Sequence, residues 1–212
     1  MGWAPGNARW HVIRLTRERW LDRVARPRCT GSLFYATRLG VKVAGVDVPP
    51  SPVPAPIWWD HLDASAWVAA WLTIRGAGMI GARELIADRS WHAEVRAGPG
   101  SRPLVHTPDL VGVAAGRRPA AIEVELARKS KARLRAILGL YYRWIASGKL
   151  GACVYVCGNH DVYKLVIAQA AQVGLNTADG SLRVEMLNTV KQLVREDATA
   201  VPRGTAQSET TR

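Results

Sequence analysis

The sequence predicts a mixed α/β fold of the α+β kind, on three observations. Two apolar runs, 110–114 and 120–126, are joined by a short turn containing Gly116, Arg117, Arg118 and Pro119, the pattern of two adjacent strands. A basic run over 128–147 follows, with Leu134, Ile137, Leu138, Tyr141 and Ile145 recurring at three and four, which is one apolar stripe along a helix. An apolar strand over 152–157 and a helix over 161–173, with Gly174 at its end, then continue the alternation.

The remaining elements are placed around that centre. Residues 1–50 carry nine Lys or Arg against three acids. Within them, 15–26 reads as a helix, and 33–36 and 41–48 read as strands flanking a turn at 38–40. A basic helix followed by a β-hairpin is the closing part of a winged helix, so 1–48 is expected to be a partial winged-helix, DNA-binding segment. Its candidate contacts are Arg17, Arg19 and Arg23. The PPSPVPAP stretch at 49–56 is an extended polyproline linker. Residues 57–190 form the main domain, with helices over 60–75 and 80–89, a first strand over 91–96, a loop over 98–103 and a last strand over 182–187. Residues 191–212 are polar and are expected to be disordered.

At 212 residues and 48% hydrophobic, the chain is large enough to bury one good core. A net charge of +12 favours a polyanionic partner, nucleic acid before membrane. No apolar run reaches a membrane span and nothing resembles a signal peptide, so a reduced, cytoplasmic setting is expected. Cys29, Cys153 and Cys157 lack metal spacing, and the last two read as small buried hydrophobes on a strand. Trp58, Trp59, Trp67, Trp71 and Trp91 crowd one region. They point to a core or an interface, with a homodimer through the Trp-rich helix as one expectation and base stacking as another.

The chemistry-bearing stretch is 106–135. Alternation along a strand puts Glu123 and Glu125 on one face and Ile122, Val124 and Leu126 on the other. Asp109 opens the adjoining strand, so three carboxylates from two strands are expected to converge on a hard-oxygen site suited to Mg²⁺ or Mn²⁺. From Arg128 to Lys149 there are seven positive charges and no acid. A solvated helix usually mixes signs, so Arg128, Lys131, Arg133 and Arg135 are expected to meet phosphates, with His106 a further candidate contact. The structural alternatives are a turn role for Asp109 and ion pairing of Glu123 or Glu125 with Arg128 or Lys131.

The order helix, three strands, helix, strand (α-β-β-β-α-β), with Pro108-Asp109 and Glu123-Val124-Glu125 on the second and third strands, resembles the PD-(D/E)XK restriction-endonuclease-like core. More narrowly, the ATRLG, AWLTIRG, AREL, HTPDL and AIEVELARKS segments resemble the replication-relaxation family of actinobacterial plasmids and integrative elements. The resemblance implies a winged-helix part joined to a nuclease-like domain, and a nucleoid- or plasmid-associated role in replication, relaxation or mobilisation. It also implies metal-dependent phosphodiester cleavage by Asp109, Glu123, Glu125 and Lys129, with Glu84 as an extra metal-site acid. The superfamily signature ends in lysine, whereas this chain has Glu125 there, and Lys129 is the residue expected to reach back. A relative lacking that lysine implies the alternative, a catalytically inactive DNA-binding accessory or regulatory protein.

Overall fold

A computed structural model describes residues 5–25, 32–48, 53, 55–98 and 100–200. Cys29, most of the proline-rich linker and residues 201–212 lie outside the described residues.

The N-terminal unit runs α1 (Pro5–Arg17), β1 (Leu21–Ala25), β2 (Ser32–Ala36) and α2 (Arg38–Val43). Strands β1 and β2 pair antiparallel, Leu21 opposite Ala36. A helix and a hairpin are present, but neither is the one expected: 32–36 pairs with 21–25 and not with 41–48. Residues 21–25 form a strand rather than the second half of a helix over 15–26, and 38–43 form a helix where a turn and strand were expected. Thr37 explains the second change: its hydroxyl accepts from the Gly40 amide 3.1 Å away and so caps α2. Gly40 is needed there, because a Cβ would lie 2.0 Å from the Trp20 carbonyl oxygen.

The main unit continues with α3 (Trp59–Ile74), β3 (Gly78–Gly81), α4 (Ala82–Ala87), β4 (Ala93–Val95) and β5 (Leu104–His106). Then come β6 (Leu110–Val113), β7 (Ala120–Glu125), α5 (Lys131–Ala146), β8 (Ala152–Cys157), α6 (His160–Ala171), β9 (Leu182–Met186) and α7 (Leu187–Ala200). Five strands form one mixed sheet in the order β3-β6-β7-β8-β9. The first three are antiparallel neighbours, and β7, β8 and β9 run parallel. The segment expected to open this sheet, 91–96, instead supplies β4, which pairs with β5 in a separate hairpin. Its place is taken by β3, which spans the break between the two expected helices and the first residues of the second.

Alternation along β7 and β8 divides the core into two layers. Ile122, Val124, Val154 and Val156 meet α3 and α7 through Ala64, Val68, Trp71, Leu187 and Val190. Ala121, Cys153, Tyr155 and Cys157 meet α5 and α6 through Leu134, Ile137, Leu138, Val162 and Val166. The two cysteines are buried, and burial pushes both thiols up to about 12, Glu123 adding to the rise at Cys153 and Glu125 at Cys157.

Helix α7 corrects the expectation of disorder from residue 191. Leu187, Val190, Leu193 and Val194 recur on one face and pack on the sheet layer that holds α3. This packing also covers the face of α3 offered above to a second copy. Trp71 is buried, and the Trp67 ring lies under Arg195 at 5.1 Å and Lys191 at 5.7 Å. No helix among the described residues is long and apolar enough to cross a membrane.

Candidate functional site

Strand β7 outruns β6: their register ends at Leu110 opposite Ile122. The Val124 amide beyond that point donates to Asp109 Oδ2 at 2.8 Å, so the Asp109 carboxylate replaces the missing backbone partner. This contact ties Asp109 to the strand that carries Glu123 and Glu125. All three carboxylates line one cleft of about 470 Å³ at that end of the sheet, together with His61, His106, Lys129 and Arg133.

Glu123 and Glu125 are 2% and 6% exposed, far below the usual range for carboxylates, and each is met by donors. The Tyr141 hydroxyl, from α5, donates to Glu123 Oε1. His106 Nε2, brought over by the β4–β5 hairpin, lies 3.1 Å from the same oxygen and 2.9 Å from the Tyr141 hydroxyl. His106 therefore holds a site carboxylate in place. The Lys129 ammonium donates to Glu125 and lies 4.0 Å from Glu123 Oε2. Lys129 does not belong to the helix, as the sequence reading has it. Ser130 caps α5 by accepting from the Arg133 amide at 3.2 Å, which leaves Lys129 in the turn after β7. From there it reaches back to Glu125, four residues earlier.

Burial raises the Glu125 carboxyl above its ordinary value. Lys129 opposes the rise, while Glu123 and Asp109 add to it. Burial, with the Glu123 charge beside it, also drives the Tyr141 hydroxyl well above its ordinary range, so it stays a proton donor. On α3, His61 Nε2 lies 3.1 Å from Asp109 Oδ1, and this hydrogen bond raises the imidazole.

The structure gathers Asp109, Glu123, Glu125, Lys129, His106 and Arg133 in the cleft and leaves Glu84 outside it. Glu84 instead accepts from the Gly81 amide at 2.7 Å, satisfying a free N–H at the start of its own helix. The basic side chains divide. Arg128 and Lys131 line a second cleft with Asp161 and Lys164, and Arg135 donates to the buried Gln169 at 2.9 Å. In the N-terminal unit Arg17 ends α1 and Arg23 donates to Ser32 at 2.7 Å. Arg19 sits in the turn between α1 and β1 with φ +60.

Two site residues were missed. In the sequence Tyr141 stands out only as part of the apolar stripe, although a tyrosine buried in such a stripe needs a partner for its hydroxyl. His61 had no marker in the periodicity; only the packing of α3 across the sheet brings it to Asp109.

All three carboxylates offer hard oxygens, the donor chemistry of Mg²⁺ or Mn²⁺. As they stand, no three His, Cys, Asp or Glu side chains among the described residues are gathered closely enough to hold a metal ion. The Lys129 ammonium is the cation that Glu123 and Glu125 share. The donor set therefore matches a divalent ion in its chemistry but not in its present spacing, and holding one needs the carboxylates to draw together as Lys129 gives up Glu125. The chain matches no protein-family model, no curated protein and no solved structure.

Proposed function

We propose that the chain is a DNA-binding, nuclease-like protein that cleaves phosphodiesters with a divalent metal ion. One observation carries the reading: Asp109, Glu123, Glu125 and Lys129 line one cleft at the end of two neighbouring strands. With α4 and the β4–β5 hairpin inserted after β3, the order α3, β3, β6, β7, α5, β8 supports a PD-(D/E)XK-like core, with Asp109 immediately before the second sheet strand and Glu123 and Glu125 on the third. The net charge of +12 supports a polyanionic substrate. The resemblance of HTPDL and AIEVELARKS to replication-relaxation proteins supports a role in plasmid replication, relaxation or mobilisation.

In this reading Asp109, Glu123 and Glu125 hold Mg²⁺ or Mn²⁺. Bound there, the ion supplies polarisation of the phosphate and acidification of water. Tyr141 and His106 orient Glu123, and the Val124 amide orients Asp109. Lys129 turns from Glu125 to the phosphate, and Arg133 offers a second cation to the same cleft. Arg128, Lys131 and Arg135 bind the flanking backbone.

Incubation of supercoiled plasmid DNA with the protein and Mn²⁺ or Mg²⁺ tests this reading. Nicked or linear product is expected from the wild type and none from Asp109→Asn or Glu123→Gln. Lys129→Ala should cut the rate while metal binding persists. The closed Lys129–Glu125 pair favours one second reading, a DNA-binding accessory without chemistry. DNA binding with no cleavage under any divalent ion would leave that reading in its place.

A further inference from the structure

We propose that Trp58 is a stacking platform for an unpaired nucleobase, so that the cleft takes single-stranded or locally unpaired DNA in preference to intact duplex. This rests on the reading of the cleft as a phosphodiester site.

Among the five clustered tryptophans the structure separates roles, and Trp59, which opens α3, is half-buried. Trp71 and Trp91 are buried, and Trp67 is overlaid by Arg195 and Lys191. Trp58 is 59% exposed, and it lines the cleft that holds the carboxylates. Its neighbour Ile57 is exposed as well and lines the same rim.

The backbone of Trp58 is fixed although its ring is open. The residue leads into α3, and its amide donates to the Ala55 carbonyl at 2.9 Å. The ring stands at 75° to His61 with centroids 6.5 Å apart, and His61 in turn reaches Asp109. A short chain of contacts thus ties the indole to the acidic cluster. A large apolar ring held open to water inside a cleft, beside charged groups, offers its face to a flat, apolar occupant.

Charge complementarity selects that occupant. Lys129 and Arg133 line the same cleft as Trp58, so cations for a phosphate and an aromatic face for a base are offered together. That pairing is how proteins hold single strands, and each stacked base contributes about 1–3 kcal/mol. In an intact duplex both faces of each base are already stacked on neighbours. Only an unpaired or extruded base can meet the indole.

Fluorescence anisotropy of the full chain, without divalent ion so that no cleavage occurs, tests the proposal with a labelled oligothymidylate and a duplex of equal length. The wild type should bind the single strand more tightly. Trp58→Ala should weaken single-strand binding about ten-fold or more, leave duplex binding unchanged and leave the melting temperature unchanged, while Trp58→Phe keeps most of the affinity. If Lys129→Ala/Arg133→Ala weakens single-strand binding but Trp58→Ala does not, the stacking role is overturned and the phosphodiester reading of the cleft stands. If the wild type binds neither DNA, both fall together.

Discussion

On one face of β7, Ile122 and Val124 are packed among Val68, Trp71 and Leu187; on the other, Glu123 and Glu125 stand between Tyr141, His106 and Lys129. Burial does not distinguish the faces, since Ile122 is 0% and Glu123 2% exposed. What differs is how desolvation is offset. The apolar face gains by leaving water, whereas each carboxylate loses hydration and is stable only while donors meet it. The apolar face therefore fixes the strand, and the acidic face keeps its charge only under the donors that meet it.

The largest effect that can sharpen this contrast is on the apolar side. Ile122→Ala should lower stability by about 2–5 kcal/mol, measured from the denaturant midpoint. The loss should be the same with and without Mn²⁺, because Ile122 faces the α3 and α7 layer. A loss that shrank in Mn²⁺ would show that the two faces are not separate.

Next in size is Tyr141→Phe, which removes a hydroxyl donor from a buried carboxylate and keeps the ring's packing. It should cost about 1.5–3 kcal/mol, the range for hydrogen bonds to charged groups. An unperturbed stability would mean that His106 and Lys129 hold Glu123 without the Tyr141 hydroxyl.

The smallest effects are in the pH dependence of the protein without metal. The Glu125 carboxyl is raised in the fold above its ordinary 4.5. The native state then binds more protons than the unfolded state over that interval, so this group makes stability fall as pH rises from 4.5 through the raised value. Glu125→Gln should remove that decline. The His61 imidazole is raised above 6.5 by Asp109. Its contribution is fully present below 6.5 and is lost as pH rises through the raised value. His61→Gln should flatten the curve there, and a wild-type slope in either variant would detach that residue from the cluster.

Much of this contrast is readable before folding, because alternation along a strand is a local property. It assigns Ile122 and Val124 to one face and Glu123 and Glu125 to the other, and it identifies Cys153 and Cys157 as buried apolar side chains. Elements with an unbroken apolar period, from β6 through β9, were likewise placed within a few residues. The N-terminal unit was not, since Leu21–Ala25 is too short and too charged to distinguish a strand from the end of a helix. Helix α7 was lost for a different reason. Its period at Leu187, Val190 and Leu193 is present, but the polar, Thr- and Arg-rich composition towards the C-terminus outweighed it. Glu84 was misplaced because its helix needed the carboxylate locally, and His61 was overlooked because its contact spans 48 residues.

If the acidic cluster exchanges Lys129 for a divalent ion, as proposed, thermal unfolding in a Mn²⁺ series should report the exchange. The wild type should gain stability as RT ln(1 + [L]/Kd), while Asp109→Asn and Glu123→Gln should fold normally and lose that gain. Glu84→Ala should keep it, since Glu84 lies outside the cleft. Equal behaviour of the wild type and the two cluster variants across the series would contradict the exchange, leaving Lys129 as the permanent cation of the site.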